Sequence, residues 1–151
     1  MKSRLQALLI TVWAITTSVV KFEKFPGAKL RRYKFHYYED GETQEYVCEL
    51  NGKFGFLQLN ARWKIHGSEI HHPMDTAEGH LIKHFLDLEY VTWTSYTEYY
   101  GSVSPGRFVV LARFRVMDSI ETRIHLSAEI RQDGKVCAKN TAIWVLPRHA
   151  A

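Results

Sequence analysis

Four acids crowd one short stretch of the chain, where Glu39, Asp40, Glu42 and Glu45 surround Gly41. Carboxylates so close together most often form a solvated loop, because Gly and Asp favour turns and the charges repel. The chemical alternative is specific. A carboxylate held at a strand end is a general base for water, or a nucleophile toward a carbonyl, when substrate lies within hydrogen-bond reach. A second cluster follows, in which His66, His71, His72, His80 and His84 share one segment with Asp75 and Glu78. On a helix, His80 and His84 would share a face as paired metal ligands do. Leu81 stands where an HExxH site needs its Glu, so surface histidines flanking Pro73 are expected and no metal or other cofactor is assigned. Cys48 and Cys137 have no CxxC spacing and require no disulfide framework.

These side chains need elements to hold them. In residues 107–147 the alternation is regular: Ile124, Leu126, Ala128 and Ile130 point one way, and Arg123, His125, Ser127, Glu129 and Arg131 the other. Asp133-Gly134 supplies a tight hairpin turn, and residues 135–146 return with Val, Ile and Trp. Residues 108–116 make the preceding strand, and residues 90–100, rich in Val, Thr, Trp and Tyr, the one before it. Such a meander needs something laid across its dry face. The spacing of Phe54, Leu57, Ala61 and Ile65 predicts a helix over residues 51–70, entered through Asn51-Gly52 and ended at Gly67-Ser68. A second short helix is expected over residues 76–88, after His71-His72-Pro73, and a first strand over residues 30–38.

At 151 residues the chain is most simply one globular domain over residues 28–147, with a hydrophobic N-terminal segment and linker at 1–27 and a tail at 148–151. Residues 5–20 are apolar behind a basic start, but they offer no small-x-small cleavage site and are short for a span. They read as an uncleaved helix that docks on protein or lies against a membrane, with a cleaved signal as the alternative. The net charge of +4 is spread along the chain, which argues against a nucleic-acid groove. The aromatics Trp63, Trp93, Tyr96, Tyr99 and Tyr100 suit core or subunit packing, or an acyl pocket.

This order of elements resembles the α+β hotdog fold, in which a five- or six-stranded antiparallel sheet wraps a central helix. It is most similar to acyl-CoA thioesterases of the 4-hydroxybenzoyl-CoA type. Tyr37-Tyr38-Glu39-Asp40-Gly41-Glu42 looks like that family's Tyr-x-Asp-x-Asp element, with Glu42 in place of an Asp. Glu49-Leu50-Asn51 stands where His-x-Asn would be, so a Glu replaces the His. The resemblance implies Glu42 or Asp40 as catalytic carboxylate, and Glu49, Asn51 and Gly52 as substrate-binding residues at the start of the helix. It also implies hydrolysis of an acyl-CoA or acyl-carrier-protein thioester at the interface of a homodimer, in the cytoplasm or at a membrane surface. Two other classes remain: a hotdog module that binds an acyl chain or a protein without catalysis, and a secreted or periplasmic all-β binding domain.

Overall fold

A computed structural model describes residues 33–55, 58–116, 119 and 121–147. The elements are β1 (Lys34–Asp40), β2 (Glu45–Phe54), α1 (Gly67–Leu86), β3 (Val91–Tyr99), β4 (Gly106–Arg115), β5 (Arg123–Gln132) and β6 (Lys135–Val145). All six strands join one antiparallel sheet in the order β1-β2-β4-β5-β6-β3. Among the described residues one long helix lies against the dry face, and the chain has the hotdog fold. The hydrophobic segment at 5–20 and the tail at 148–151 lie outside the described residues. Among those described, no helix is long and apolar enough to cross a membrane.

The core follows from period. Ile70, Met74, Ala77 and Leu81 recur at helical spacing and are fully or almost fully buried. They meet Cys48, Leu50 and Phe54 of β2, Val110, Ala112 and Phe114 of β4, Ile124, Leu126, Ala128 and Ile130 of β5, and Ala138, Ala142 and Trp144 of β6. The meander is as its alternation predicts, and Asp133-Gly134 forms the β5–β6 turn with positive φ at both residues.

The first half differs from expectation. The helix expected over residues 51–70 is not formed as such: Asn51 and Gly52 lie inside β2, which pairs with β1 on one side and β4 on the other, and helix begins only at Gly67. The apolar residues at 54 and 65 are buried from a strand end and a loop, so their helical spacing was coincidental. Nor is there a separate helix at 76–88. One helix runs through Pro73, whose missing N–H removes one backbone bond while its ring joins the buried face. Burial on both sides of the proline outweighs that cost, which for an interior helical proline is about 3 kcal/mol.

Candidate active site

Asp40 and Glu42 sit at the β1–β2 hairpin. Asp40 Oδ1 accepts the backbone N–H groups of Glu42 and Thr43 at 2.9 and 3.3 Å, the bonding of an Asx turn. Those two bonds hold its carboxyl below the usual range. Glu42 is exposed. Next to this hairpin Tyr46 stacks on Phe85 in the last turn of α1. The turn therefore lies at the C-terminal end of the helix, away from the amides of its first turn.

The three expected substrate-binding residues are also placed otherwise. Glu49 and Asn51 alternate with the helix-facing Cys48 and Leu50 and so lie on the outer face of the sheet. There Asn51 Nδ2 donates to Glu49 Oε1 at 2.7 Å. Gly52 lies under Phe108, and a Cβ at that position would run into the ring. Its lack of a side chain serves packing.

The helix start is elsewhere. Asn60 closes a tight turn, its Oδ1 accepting from the N–H groups of Arg62 and Lys64 at 2.9 and 3.2 Å. Ile65 N–H donates to Val103 O, and His66 N–H to Gln58 O, each at 2.9 Å, which pins the entry to α1. His66 is the N-cap, its Nδ1 accepting from Ser68 N–H at 3.3 Å. Glu69 and Ile70 N–H donate to His66 O. Among the described residues this leaves Gly67 N–H as the amide of the first turn with no partner, at the positive end of the helix dipole. Tyr99 from the end of β3 donates its hydroxyl to Gly67 O at 3.1 Å, so helix tip and strand end are tied together.

Strand β3 is the other half of the arrangement. It is an edge strand, and Val91, Trp93, Tyr96 and Tyr99 are each about half exposed or more. An irregularity between Thr92 and Thr94 inserts Trp93 as an extra residue, so Thr92 shares a face with Ser95, Thr97 and Tyr99. Every one of these is a hydroxyl that reaches inward. Thr92 Oγ1 donates to Asp75 Oδ1 at 3.2 Å, Ser95 and Thr97 donate to Asn140 Oδ1 at 2.8 and 3.0 Å, and Thr97 also meets His71 Nδ1 at 3.0 Å. Asp75 and His71, four residues apart, thus lie on the helix face under β3. Trp93 points outward beneath Arg123, whose guanidinium lies 4.4 Å from the ring centroid.

Of the remaining histidines, His80 stacks on Phe35 with centroids 4.3 Å apart and His84 on Tyr37 at 3.9 Å, which leaves them packed against β1. Among the described residues no three His, Cys, Asp or Glu side chains converge as metal ligands would. Cys48 and Cys137 are both free and buried, and burial raises the Cys48 thiol to about 12.

Sequence reasoning named His71 and Asp75 only within a possible metal cluster, and Gly67 only as a helix end. The signal was there: the stripe Ile70, Met74, Ala77, Leu81 begins just after the capping sequence His66-Gly67-Ser68, and Asp75 and His71 fall off that stripe on one adjoining face.

No protein family model matches the chain, and no curated protein matches it. Solved structures do. The PaaI protein from the Escherichia coli phenylacetic acid degradation operon is 16% identical, covers 92% of this chain and 96% of its own, and superposes with a TM-score of 0.68. A candidate thioesterase of Ralstonia eutropha, related to phenylacetic acid degradation, is 17% identical over 82% of this chain and 92% of its own, with a TM-score of 0.67. The smu.793 protein of Streptococcus mutans, solved bound to acetyl CoA, is 21% identical over 76% of this chain and 89% of its own, with a TM-score of 0.60. At these identities the likeness establishes the shared fold.

Proposed function

We propose that the protein hydrolyses acyl-CoA thioesters at a site shared by two copies of the chain, with Asp75 as the catalytic carboxylate. The observation that carries the reading is the Gly67 amide, unpartnered among the described residues, at the tip of the helix on which Asp75 sits, both joined to the exposed edge strand β3. Support of a coarser kind comes from the structural neighbours, two of them described through thioesterase or phenylacetic acid degradation and one holding acetyl CoA.

Within one chain the two groups are too far apart to act on one carbonyl. Eight residues of helix separate them, about 12 Å at 1.5 Å per residue. Pairing removes the difficulty. A nine-residue, aromatic-rich edge with unmet backbone groups is a template for a second strand. Two copies of β3 running antiparallel about Ser95 would bring the start of one strand, where Thr92 holds Asp75, opposite the end of the other. That end carries Tyr99 of the partner subunit and, bound to it, Gly67 of the partner subunit.

The chemistry then follows. Asp75 takes a proton from water, and the hydroxide so formed attacks the thioester carbonyl carbon. The carbonyl oxygen becomes an oxyanion and accepts a hydrogen bond from the Gly67 amide, aided by the helix dipole. Collapse breaks the carbon–sulfur bond, the thiolate takes the proton back from Asp75, and a free acid and a thiol leave. We assign this role to Asp75 rather than to Asp40 or Glu42, because Asp40 is spent on its turn and both lie toward the far end of the helix. Replacing Asp75 with Ala and following thiol release from a series of acyl-CoA esters tests the assignment. Turnover should fall at least about a hundredfold. Unchanged turnover would remove Asp75 from the reaction, and absence of turnover in the wild-type protein with every ester would favour an acyl-binding module without catalysis.

A further inference from the structure

The core holds a second carboxylate, which the proposed reaction leaves unused. Glu78 is fully buried on α1, one turn beyond Asp75. Its Oε1 accepts from Asn140 Nδ2 at 2.8 Å and its Oε2 from Trp144 Nε1 at 3.2 Å. An indole N–H only donates, and an ionised carboxylate only accepts. With its amide group turned to Glu78, Asn140 presents Oδ1 to β3, where it receives the hydroxyls of Ser95 and Thr97 at 2.8 and 3.0 Å. The single hydrogen of the Thr97 hydroxyl is then committed. Its 3.0 Å contact with His71 Nδ1 can only be closed by a hydrogen on the imidazole.

We propose that Glu78 is a positioning residue which, through Asn140 and Thr97, fixes the direction of this hydrogen-bond chain and holds neutral His71 with its proton on Nδ1 and a bare Nε2, on the helix face that also carries Asp75. Its relevance to thioester hydrolysis rests on the role given to Asp75; the direction of the chain does not. Nε2 is then an acceptor on the same helix face as Asp75, able to order the water that Asp75 deprotonates.

The chain has an opposite state. A protonated Glu78 needs an acceptor for its own hydrogen, which Asn140 offers by turning its amide over. The Asn140 amino group would then donate to Ser95 and Thr97, the Thr97 hydroxyl would donate to His71 Nδ1, and the imidazole proton would move to Nε2. Burial raises Glu78 to about 7, against the lowering effect of its two hydrogen bonds and with a small rise from Asp75. Asp75 is the charged group next to Glu78 and His71 on the helix. β6 presents Asn140 and Trp144 to them and β3 presents Ser95 and Thr97, all neutral.

The experiment reads the two ring nitrogens of His71 by long-range proton–nitrogen NMR of the full chain at about pH 8, above the range in which Glu78 and a free histidine titrate. The wild-type protein should show a protonated Nδ1 and a bare Nε2. In Glu78→Gln the side-chain amide must donate, as a protonated carboxyl would, so the pattern should reverse. Thr97→Val removes one hydroxyl and should release the ring from a single tautomer, and it serves if the glutamine variant does not fold. In turnover, Glu78→Gln should lower kcat about tenfold at unchanged KM, the size of effect expected when an acceptor becomes a donor near general base chemistry. A wild-type His71 with bare Nδ1, or one tautomer common to wild type and variants, would overturn the proposal. A tautomer that reverses while Asp75→Ala keeps full turnover would leave the chain of hydrogen bonds standing and remove the catalytic reading instead.

Discussion

The two edges of the sheet are joined to the same helix by opposite chemistry. At β1 the join is made of rings: Phe35 on His80, Tyr37 on His84, and the Tyr37 hydroxyl against His80 Nδ1 at 3.4 Å. At β3 it is made of hydroxyls, from Thr92, Ser95, Thr97 and Tyr99, each bonded to the helix or to Asn140. Stacked rings exclude water and hold their partners in place; hydroxyls keep carboxylate and imidazole solvated and oriented. The β1 edge is thus closed by packing, and the β3 edge keeps the polar groups on which the proposed reaction would draw. The large exposed aromatics of β3 point to a second strand as its cover.

If this contrast is right, substitutions at the two edges should differ in kind. Asp75→Ala should cost the largest effect, about two to four orders of magnitude in kcat/KM. Asp40→Ala and Glu42→Ala should leave turnover unchanged, with only a slight loss of thermal stability for Asp40→Ala as its turn loses two hydrogen bonds. Next comes Tyr96→Asp, close to the middle of β3. Like charges brought close together beside the two-fold axis should shift sedimentation toward monomer and abolish turnover together, while the circular dichroism stays that of the folded chain. Turnover that survives in a monomer would break the shared-site account.

The buried carboxylate gives a smaller effect with a definite sign. Folding raises Glu78 from 4.5 to about 7, so the folded state binds its proton more tightly. Its contribution to stability is complete below about pH 4.5 and is lost as pH rises to about 7, a change on the order of 3 kcal/mol. Denaturant unfolding of wild type and Glu78→Gln across that window should show the slope in the first and its loss in the second. Smallest of all, Tyr37→Phe removes the long contact with His80 but keeps the stack on His84, and should cost less than about 1 kcal/mol without touching turnover.

The meander could be read from the chain because β5 and β6 alternate strictly and Asp133-Gly134 marks their turn. The first half misled for two physical reasons. Strand β2 is buried on its helix side while Glu45, Glu49 and Asn51 lie on the other, and its acids drew attention to the loop before it rather than to the alternation of Tyr46, Cys48 and Leu50. Pro73 then divided one helix into two, because local propensity places a break where the tertiary burial of Ile70 and Met74 does not. The candidate carboxylate followed the misplaced helix. Once α1 is seen to begin at Gly67, the amide and the acid of the proposed reaction are both on it. What the spacing of residues could not contain is which hydroxyls of β3 meet which helix positions, since that depends on the extra residue at Trp93.

The central claim is that one site draws on two chains, and subunit complementation tests it most directly. Asp75→Ala and Gly67→Val, the latter placing a Cβ 3.2 Å from the Tyr99 hydroxyl, should each be nearly inactive alone. Mixed after dissociation, half of the dimers are expected to be mixed, each with one site free of both changes, so about a quarter of wild-type turnover should return. No recovery in a sample whose mixed dimers are demonstrated by mass would contradict the account.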